Sequence, residues 1–417
     1  MREKLNWQND NERREFLHQV FSMISHWKGQ LPDLHDIFRP EEIDLLLSDS
    51  ISFCNTYGAY RNGIGVRFIS FVASTGYKDK SAIDADGKPS SRRTTAVHHA
   101  ARKGYGVGYD VIPELFKIYD RFDVNYSDED GLTHLHAACQ FGFYEVVQKF
   151  LELGQDPNCL GQKSVSSSVD PPLHLTLINC RSMEIIKLLL KSGADPNSAN
   201  KDGSTILHLF REKLRRENRL VIGEMLFKLS HEKFHPVQVD ARDKKGNTPL
   251  HLALNIGWNV KAEFLLRRGA NPNLANAEGL TPLHVVFERV IYYDAMELLF
   301  RINDELNQRV EVNARDKKGN TPLHLAEVLD IIDDKNQLVQ IDACDELGNT
   351  LLHLALKEGK EKVAELLLRR GADPNLANAE GSTALHIICK YDYNFFDFMV
   401  FLFGISKEKH QPLNIDA

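Results

Sequence analysis

The sequence of 417 residues contains few cysteines and no cysteine motif. Its six cysteines are scattered without a Cys-x-x-Cys pair, at Cys54, Cys139, Cys159, Cys180, Cys344 and Cys389. Zinc ribbons and disulfide frameworks need cysteines at short, regular spacings, so neither is expected here. The pattern favours a protein of a reducing compartment, in the cytoplasm or the nucleus.

The sequence also lacks a long apolar run and an excess of basic charge. No stretch approaches the roughly 18 apolar residues of a membrane-spanning helix, and the charged start MREKLNWQNDNERREFL is unlike a secretory signal. The 51 basic and 58 acidic residues give a formal net charge of −7. This balance predicts no strong attraction to nucleic acid or to an anionic membrane. We expect a soluble, intracellular protein that does not insert into membranes.

Motifs of catalysis and of metal binding are absent as well. There is no Gly-x-Ser-x-Gly, no Walker loop and no Gly-x-Gly-x-x-Gly after a strand. The glycine-rich GYGVGYD that starts at Gly104 is interpreted as a loop between two helices. The pairs His98 with His99 and His134 with His136 lack the i, i+4 spacing that places two metal ligands on one helix face. We therefore expect neither an enzyme nor a cofactor or metal ion.

What the sequence does contain is a repeated motif. NTPLHLA occurs at Asn247–Ala253 and again at Asn320–Ala326, and with seven related stretches these make nine copies of one motif. Their shared histidines lie 29 to 43 residues apart, at His98, His136, His174, His208, His251, His284, His324, His353 and His386. Recurrence of one motif at spacings that scatter around 33 residues is typical of repeat architectures.

Residues 350–375 give the clearest example of one repeat. Apolar residues at helical spacing predict a short first helix that ends at Gly359, and then a second helix. The basic pair Arg369 and Arg370 followed by Gly371 is a typical helix C-terminus. The next residues, ADPNLANAEG, predict a projecting turn. Such a helix pair does not bury its apolar face alone, so the repeats must stack around a shared core.

With these motifs, residues 93–417 resemble the ankyrin-repeat family, whose signature is Thr-Pro-Leu-His-x-Ala with a period of about 33 residues. The resemblance implies an all-α solenoid of about nine helix-turn-helix repeats with projecting turns. It also implies that the motif Thr and His, such as Thr248 and His251, hydrogen-bond the turn and the neighbouring repeat. Pro171 replaces the usual Thr in the third copy and Val97 the usual Leu in the first. We expect these two repeats to be looser.

The two ends of the chain lack a complete repeat. Residues 1–92 have no motif, but they contain an apolar stripe at helical spacing from Phe16 to Trp27 and a helix start at Pro40. We interpret them as a helical N-terminal cap that includes a degenerate repeat, and the alternative is a separate functional module. The array at 93–417 stops where a new turn would begin, so its last repeat is expected to be incomplete, either frayed or continued in a longer gene product.

The resemblance further implies where partners bind. Ankyrin repeats usually bind proteins along the concave face formed by the turn tips and the exposed ends of the first helices. Carried over by position, this face comprises Glu129, Asp130, Leu132, Gln140, Phe141, Lys244, Lys245, Asn247, Asn255, Ile256, Lys317, Lys318, Glu346, Leu347, Asn349, Lys357 and Glu358. Phe141, Ile256 and Leu347 are the candidate anchors, because they are apolar where the repeat pattern predicts exposure. Single exposed apolar residues are, however, common on any protein surface.

Two turn tips, RDKKG from Arg242 and RDKKG from Arg315, are strongly basic. They suggest a phosphate-binding stripe, but each contains an aspartate, and the tips DEDG from Asp128 and DELG from Asp345 are acidic. We interpret the basic tips as a solvated face, and steering of an acidic protein partner as the more reasonable functional use.

Three asparagines are candidates for modification. Asn197, Asn273 and Asn375 each follow a leucine by eight residues. This placement looks like that of the substrates of the asparaginyl hydroxylase that acts on ankyrin repeats. The alternative is an asparagine that stabilises its turn.

The sequence as a whole predicts a monomeric, non-catalytic scaffold or adaptor that binds one or more unidentified proteins. Its alternative is the substrate-recognition part of a ubiquitin-ligase adaptor or effector whose recruitment segment lies outside this chain. Fold alone does not decide between the two, because function lies in the sites that a fold carries.

Overall fold

The computed structural model of the chain is helical in its regular structure, as the sequence predicts. Within the described residues, β-structure is limited to three isolated bridges, for example between Cys344 and Thr350. The described residues are 2–54, 63–80, 90–107, 110–159, 169–180, 182–209, 219–231, 236–288, 293–325, 340–359, 361–390, 395–408 and 413–414.

The chain divides into two compact units. Unit 1 is Met1–Leu214 with Glu224–Val237, and unit 2 is Arg215–Gly223 with Gln238–Ala417. Unit 1 contains α1 (Asp10–Ser25), α2 (Leu34–Ile37), α3 (Pro40–Ser52), α4 (Ile64–Ser74), α5 (Ala96–Lys103), α6 (Val111–Ile118), α7 (His134–Phe141), α8 (Tyr144–Glu152), α9 (Pro172–Leu175), α10 (Met183–Lys191) and α11 (Ile206–Leu209). Residues of both units form α12 (Arg219–His231).

Unit 2 repeats the same helix pairs. It contains α13 (Pro249–Asn255), α14 (Asn259–Arg267), α15 (Pro282–Phe287), α16 (Tyr293–Glu305), α17 (Leu351–Lys357), α18 (Glu361–Arg369), α19 (Ala384–Lys390) and α20 (Phe395–Glu408). Each motif copy opens a first helix, except that the copy at Thr321 opens a 3-10 turn, Pro322–Leu325. The glycine-rich stretch at Gly104 lies between α5 and α6, as predicted, and its Gly108 and Tyr109 lie outside the described residues.

The helices before the first motif copy belong to the same compact unit as the first repeats. Asn9 caps α1 by accepting from the amides of Asn11 and Glu12, and Pro40 is the first residue of α3. The helix α3 packs against α4 and α5, and α4 packs against α6. The apolar stripe of α1 is buried at Phe16 and Leu17, whereas Trp27, beyond the end of α1, is 41% exposed.

A polar network connects these helices to the first repeat. The Arg93 guanidinium donates to the carboxylates of Asp44 (3.1 Å) and Asp79 (3.2 Å). Tyr126 donates its hydroxyl to Asp79 at 2.8 Å, and Tyr119 donates to Asp44. Burial raises the pKa of Asp44, although the neighbouring Arg93 opposes the shift. Buried groups of this kind are tolerated when each is paired, so the network fixes α3 relative to the first repeat.

The motif Thr and His form the same hydrogen bonds in most repeats, and we call this arrangement the Thr–His bridge. The amide of Thr248 donates to Nδ1 of His251 at 3.2 Å, so the ring proton must lie on Nε2. Nε2 then donates to the carbonyl of Leu280 in the next repeat at 2.9 Å. The same bond to the next repeat is made by His98 to Tyr126 (3.1 Å), His174 to Ser204 (3.0 Å), His284 to Asn320 (3.1 Å) and His353 to Ser382 (2.9 Å). The structural role that the resemblance implies for these residues is confirmed.

The two repeats that depart from the motif, at Pro171 and at Val97, differ from each other in their geometry. At Pro171 no amide N–H or hydroxyl is present to bond His174, and Nδ1 of His174 is buried without a partner among the described residues. The first helix is short there and continues as a π-helical turn, Thr176–Cys180. The repeat of Val97 is regular, because the amide of Thr95 donates to His98 at 3.0 Å. The geometry is thus irregular at Pro171 and regular at Val97, and the looseness of these two repeats stays a prediction.

The buried histidines make the free energy of unfolding depend on pH. Burial lowers the pKa of His251 to about 4, and this effect exceeds the opposing effect of the hydrogen bond to Leu280. Burial also lowers the pKa values of His98 and His174 to about 4. The unfolded chain therefore binds more protons below the usual histidine pKa of about 6.5, and stability is lost as the pH falls from there toward 4. We expect a loss of about 1 kcal/mol for each such histidine at about pH 5.5.

Urea unfolding between neutral pH and about pH 5 measures this loss. The control variant is His251→Gln, which keeps a polar side chain but does not titrate. We expect it to be less stable than the parent at neutral pH and to lose less stability on acidification. Equal losses in the two proteins would contradict this role of His251.

Candidate functional site

The predicted binding residues of unit 1 are only partly accessible. Glu129 and Asp130 are exposed on a turn. Gln140 is half-buried and donates to the carbonyl of Ala101 at 2.9 Å. Leu132 is buried, with 7% of its surface exposed.

The prediction that Phe141 is exposed is wrong, because its exposed fraction is 7%. Phe141 is the last residue of α7, and α7 packs against α5, against α9 and against the π-helical turn that follows α9. Gly142 takes a left-handed conformation with φ of 80° and turns the chain back at once. The helix end is thus enclosed by neighbouring repeats and is not available as an anchor.

The predicted residues of unit 2 form a more accessible set. Ile256 is 42% exposed and Leu347 is 66% exposed, as expected for these two anchors. The charged residues of the set are exposed too: Lys244, Lys245, Lys317, Lys318, Glu346, Lys357 and Glu358. Asn247 and Asn255 are half-buried, and Asn349 is buried at 9% exposure.

Asn247 and Asn349 belong to the interior of the turns, which corrects their assignment to the exposed face. The side chain of Asn349 donates to Asp345 at 3.1 Å and accepts from Asn378 at 2.9 Å. Asn247 accepts from Asn276 in the same way at 2.9 Å. Both side-chain oxygens bridge consecutive turns, so these residues contribute to the shape of the surface.

Five of the described turns of unit 2 are closed by an acidic or amide side chain at their first position. Oδ1 of Asp243 accepts from the amides of Lys245 (2.9 Å) and Asn247 (2.8 Å). Asp316 does the same with Lys318 and Asn320, both at 2.8 Å. Asn276, Asp345 and Asn378 close the other three of these turns by equivalent bonds. This local bonding is the known preference of Asp and Asn for turns.

Backbone hydrogen bonds join these turns into a continuous row, which we call the turn ladder. It consists of the turns at 243–246, 276–279, 316–319, 345–348 and 378–381. Four bonds connect them: Ala277 N to Lys245 O (2.9 Å), Lys317 N to Glu278 O (3.0 Å), Glu346 N to Lys318 O (3.0 Å) and Ala379 N to Leu347 O (2.8 Å). Side chains at these positions therefore lie in a fixed order along one edge of unit 2.

Two arginines that sequence reasoning assigned to the basic tips have a structural role in the ladder. The Arg242 guanidinium donates to the carbonyls of Gly246 (3.3 Å) and Ala275 (2.5 Å). Arg315 likewise donates to Gly319 at 3.2 Å and to Cys344. Each arginine thus clamps its own turn to the next one. The repeated RDKKG was the available signal, since both copies place the arginine directly before the closing aspartate.

The three candidate asparagines for modification lie at the junctions between repeats. Asn273 donates to the carbonyl of Arg309 at 2.7 Å and accepts from the amide of Glu311 at 2.7 Å. Asn197 donates to Pro236 at 3.1 Å. Asn375 accepts from Asn414 at 2.8 Å. These bonds support the structural interpretation, and modification at these positions remains a prediction.

In the part of the chain that the structure describes, no group of three or more His, Cys, Asp or Glu side chains is arranged to hold a metal ion. None of the described helices is both long and apolar enough to cross a membrane.

Comparisons with known proteins agree with the helical repeats. The family described as ankyrin repeats (3 copies) matches residues 70–160, 173–257, 216–309 and 331–411, together more than half of the chain. The human BCL-6 corepressor-like protein 1 is 36% identical over 115 residues, which is 28% of this chain and 6% of that protein. The bovine NF-kappa-B inhibitor zeta is 29% identical over 199 residues, 46% of this chain and 25% of that protein.

A solved structure is similar as well. The crystal structure of the ankyrin repeat domain of Bcl-3, described as a unique member of the IkappaB protein family, matches with a TM-score of 0.40 and 23% identity. The match covers 65% of this chain and 100% of that chain. The present chain spans less than half the length of the two curated relatives named above.

The turn ladder generates a prediction about its glycines. Gly319 and Gly381 have positive φ values of 74° and 76°. A Cβ added to Gly319 would meet the amide nitrogen of Glu346 at 2.8 Å, whereas no described atom lies within 4 Å of a Cβ at Gly381. Both alanine variants carry the strain of a positive φ, about 1 kcal/mol, and G319A adds about 1 to 3 kcal/mol for the forced contact.

Urea unfolding of the two variants measures the difference in their free energies of unfolding. G381A is the matched control, because it shares the backbone conformation without the contact. If both variants lose the same stability, the close packing of successive turns is not a stabilising feature.

Proposed function

This chain belongs to the ankyrin-repeat family, and we propose that it is a non-catalytic scaffold or adaptor that binds other proteins through the turn tips and first-helix ends of its repeats. Repeat proteins of this type present extended surfaces on which many modest contacts add up to useful affinity. The partner would be a folded protein or a protein segment, bound in the cytoplasm or the nucleus by the monomeric chain.

The exposure of Ile256 and Leu347 carries this proposal. Ile256 is the C-terminal cap residue of α13, and Leu347 lies on the turn ladder. They are 42% and 66% exposed, although the motif residues around them are buried. Exposed apolar surface that is bordered by charged residues is a common feature of sites that bind proteins. Ile256 and Leu347 therefore support a binding surface at the ladder and the adjoining helix ends.

The names of the relatives also support a protein partner. One is named an inhibitor of NF-kappa-B and another a corepressor-like protein. Because this chain covers at most a quarter of either protein, we carry over the binding of proteins in general and not a particular target.

The same proposal assigns a different structural role to each of two parts of the chain. We propose that residues 1–92 form the N-terminal cap, including a degenerate repeat, and that residues 93–417 form the array. The packing of α3 on α5 and of α4 on α6 supports a capping role, since an exposed repeat face needs to be covered.

We propose, from the family resemblance, that an asparaginyl hydroxylase adds one oxygen to Asn197, Asn273 and Asn375. The chain offers matched controls in Asn158 and Asn313, which also accept from the next repeat, at 2.7 and 3.0 Å. Asn158 lies eight residues after Phe150 and Asn313 lies eight residues after Glu305, so neither follows a leucine at this distance. Peptide mass spectrometry of the chain from cells is expected to show the oxygen at the three candidates and not at the controls. Unmodified candidates, or equal modification of the controls, would exclude this selectivity.

The binding surface is tested with Ile256→Ala/Leu347→Ala in the full chain. Both side chains are exposed, so the change is expected to alter stability by less than about 0.5 kcal/mol. The matched control is Val260→Ala/Leu306→Ala, which removes apolar side chains that are 52% and 37% exposed on or after the second helices of unit 2. Affinity purification with quantitative mass spectrometry compares the proteins that each variant recovers.

We expect at least one protein to be depleted about tenfold or more with the Ile256/Leu347 variant and recovered normally with the control. The depleted protein would then be a direct candidate for the partner. Identical recoveries from the parent and both variants would reject the ladder and helix ends as the binding surface.

A further inference from the structure

We propose that the turn ladder of unit 2 binds an extended acidic segment of a partner protein, in which two acidic clusters are followed by an aliphatic residue. This inference rests on the proposed function and specifies the chemistry of the partner. Its basis is the charge, the order and the exposure of the side chains along the ladder.

The positive charge of the ladder comes from lysines that have no ion-pair partner among the described residues. Lys244, Lys245, Lys317 and Lys318 are exposed, and no ion pair between described residues involves them. The nearest carboxylates in sequence, those of Asp243 and Asp316, accept hydrogen bonds from the amides of their own turns. These carboxylates therefore hold the turns in shape and leave the ammonium groups to the solvent.

The arginines add to this charge without competing for the ligand. Arg242 and Arg315 donate to backbone carbonyl oxygens, which are neutral acceptors. Each RDKKG tip has three basic residues and one acidic residue, so its formal charge is +2. In a chain with a net charge of −7, two such tips are a local exception, and a local field of this kind steers and orients an oppositely charged partner.

The order of side chains along the ladder defines the order of groups in the ligand. Lys245 is bonded through its carbonyl to the turn of Glu278, and that turn is bonded to Lys317. Lys318 is bonded in turn to Glu346, which precedes Leu347. A segment that follows the ladder meets a lysine pair, one glutamate, a second lysine pair, a second glutamate and then an aliphatic side chain. The complementary segment is acidic, then neutral or basic, then acidic again, and it ends in an apolar residue after a short neutral spacer.

The same order of side chains along the turn ladder disfavours a nucleic acid as the ligand. A phosphate backbone carries charge at every nucleotide, and it would be repelled at Glu278 and Glu346, both exposed and without an ion pair among the described residues. Leu347, with 66% of its surface exposed, offers an aliphatic contact for which a phosphate backbone has no counterpart. A peptide supplies both the separated carboxylates and the apolar side chain, so the charge pattern fits a protein segment better.

The test measures binding of a defined probe to the full chain by fluorescence anisotropy. The probe is a fluorescein-labelled peptide with two Glu-Glu pairs separated by a short Gly/Ser spacer and followed, after a second short spacer, by Leu. Its counterparts replace the glutamates by glutamine or the leucine by alanine, and a labelled single-stranded oligonucleotide is measured beside them. Binding is compared at low and at high ionic strength, since contacts between exposed charges are screened by salt.

The test variant is Lys244→Gln/Lys245→Gln/Lys317→Gln/Lys318→Gln. The matched control is Lys28→Gln/Lys80→Gln/Lys187→Gln/Lys228→Gln, which removes the same charge from exposed lysines of unit 1. We expect the acidic peptide to bind the test variant about tenfold or more weakly than the parent, and the control variant normally. We also expect Leu347→Ala to weaken the leucine peptide and not the alanine peptide.

Two outcomes would overturn the proposal. One is an equal loss of affinity for the acidic peptide in the test variant and in the control variant, which would indicate that only the net charge of the chain attracts the peptide. The other is tighter, lysine-dependent binding of the oligonucleotide, which would indicate a nucleic-acid surface. The proposed function is tested separately with Ile256→Ala/Leu347→Ala, so loss of a cellular partner in that variant without lysine-dependent peptide binding would retain the scaffold role and reject the acidic ligand.

Discussion

The stacking of the repeats depends on histidines that are kept neutral. In the Thr–His bridge, Nδ1 of His251 accepts a bond from the backbone of its own repeat while Nε2 donates to the backbone of the next. A protonated ring has no acceptor, so it would break the first bond and carry a buried charge. One imidazole thus satisfies an amide at the start of a helix and a carbonyl in the neighbouring repeat, and its protonation state couples the local turn to the packing between repeats.

The turn ladder extends this coupling to the surface. Closing residues such as Asp243 and Asp316 use their carboxylates for backbone amides, and Arg242 and Arg315 clamp each basic turn to its successor. Bonds of this kind lower the conformational freedom of the turns, so the lysines are presented from a fixed backbone. A preorganised surface loses less entropy on binding than a mobile loop does, and this favours the ladder as a recognition element.

The site could be predicted from the sequence only in part. Ile256 and Leu347 are exposed as the repeat pattern indicates, but Phe141, at a comparable position of its own repeat, is buried. Phe141 is the last residue of α7, and α7 packs against α5, α9 and the π-helical turn that follows α9. The exposure of such a residue depends on the packing of several elements, and a local motif carries no information about that packing.

The sequence by itself determined the period, the helix pairs and the turn positions, because each depends on residue types at short spacings along the chain, and the resemblance to the ankyrin-repeat family implied the Thr–His bridge. The tertiary structure decided which side chains reach the solvent, that Asn247 and Asn349 bridge consecutive turns, and that the aspartates of the basic tips face their own backbone. Exposure and pairing depend on which neighbouring element covers a residue and which donor reaches it first. Those distances are set only when the repeats pack together.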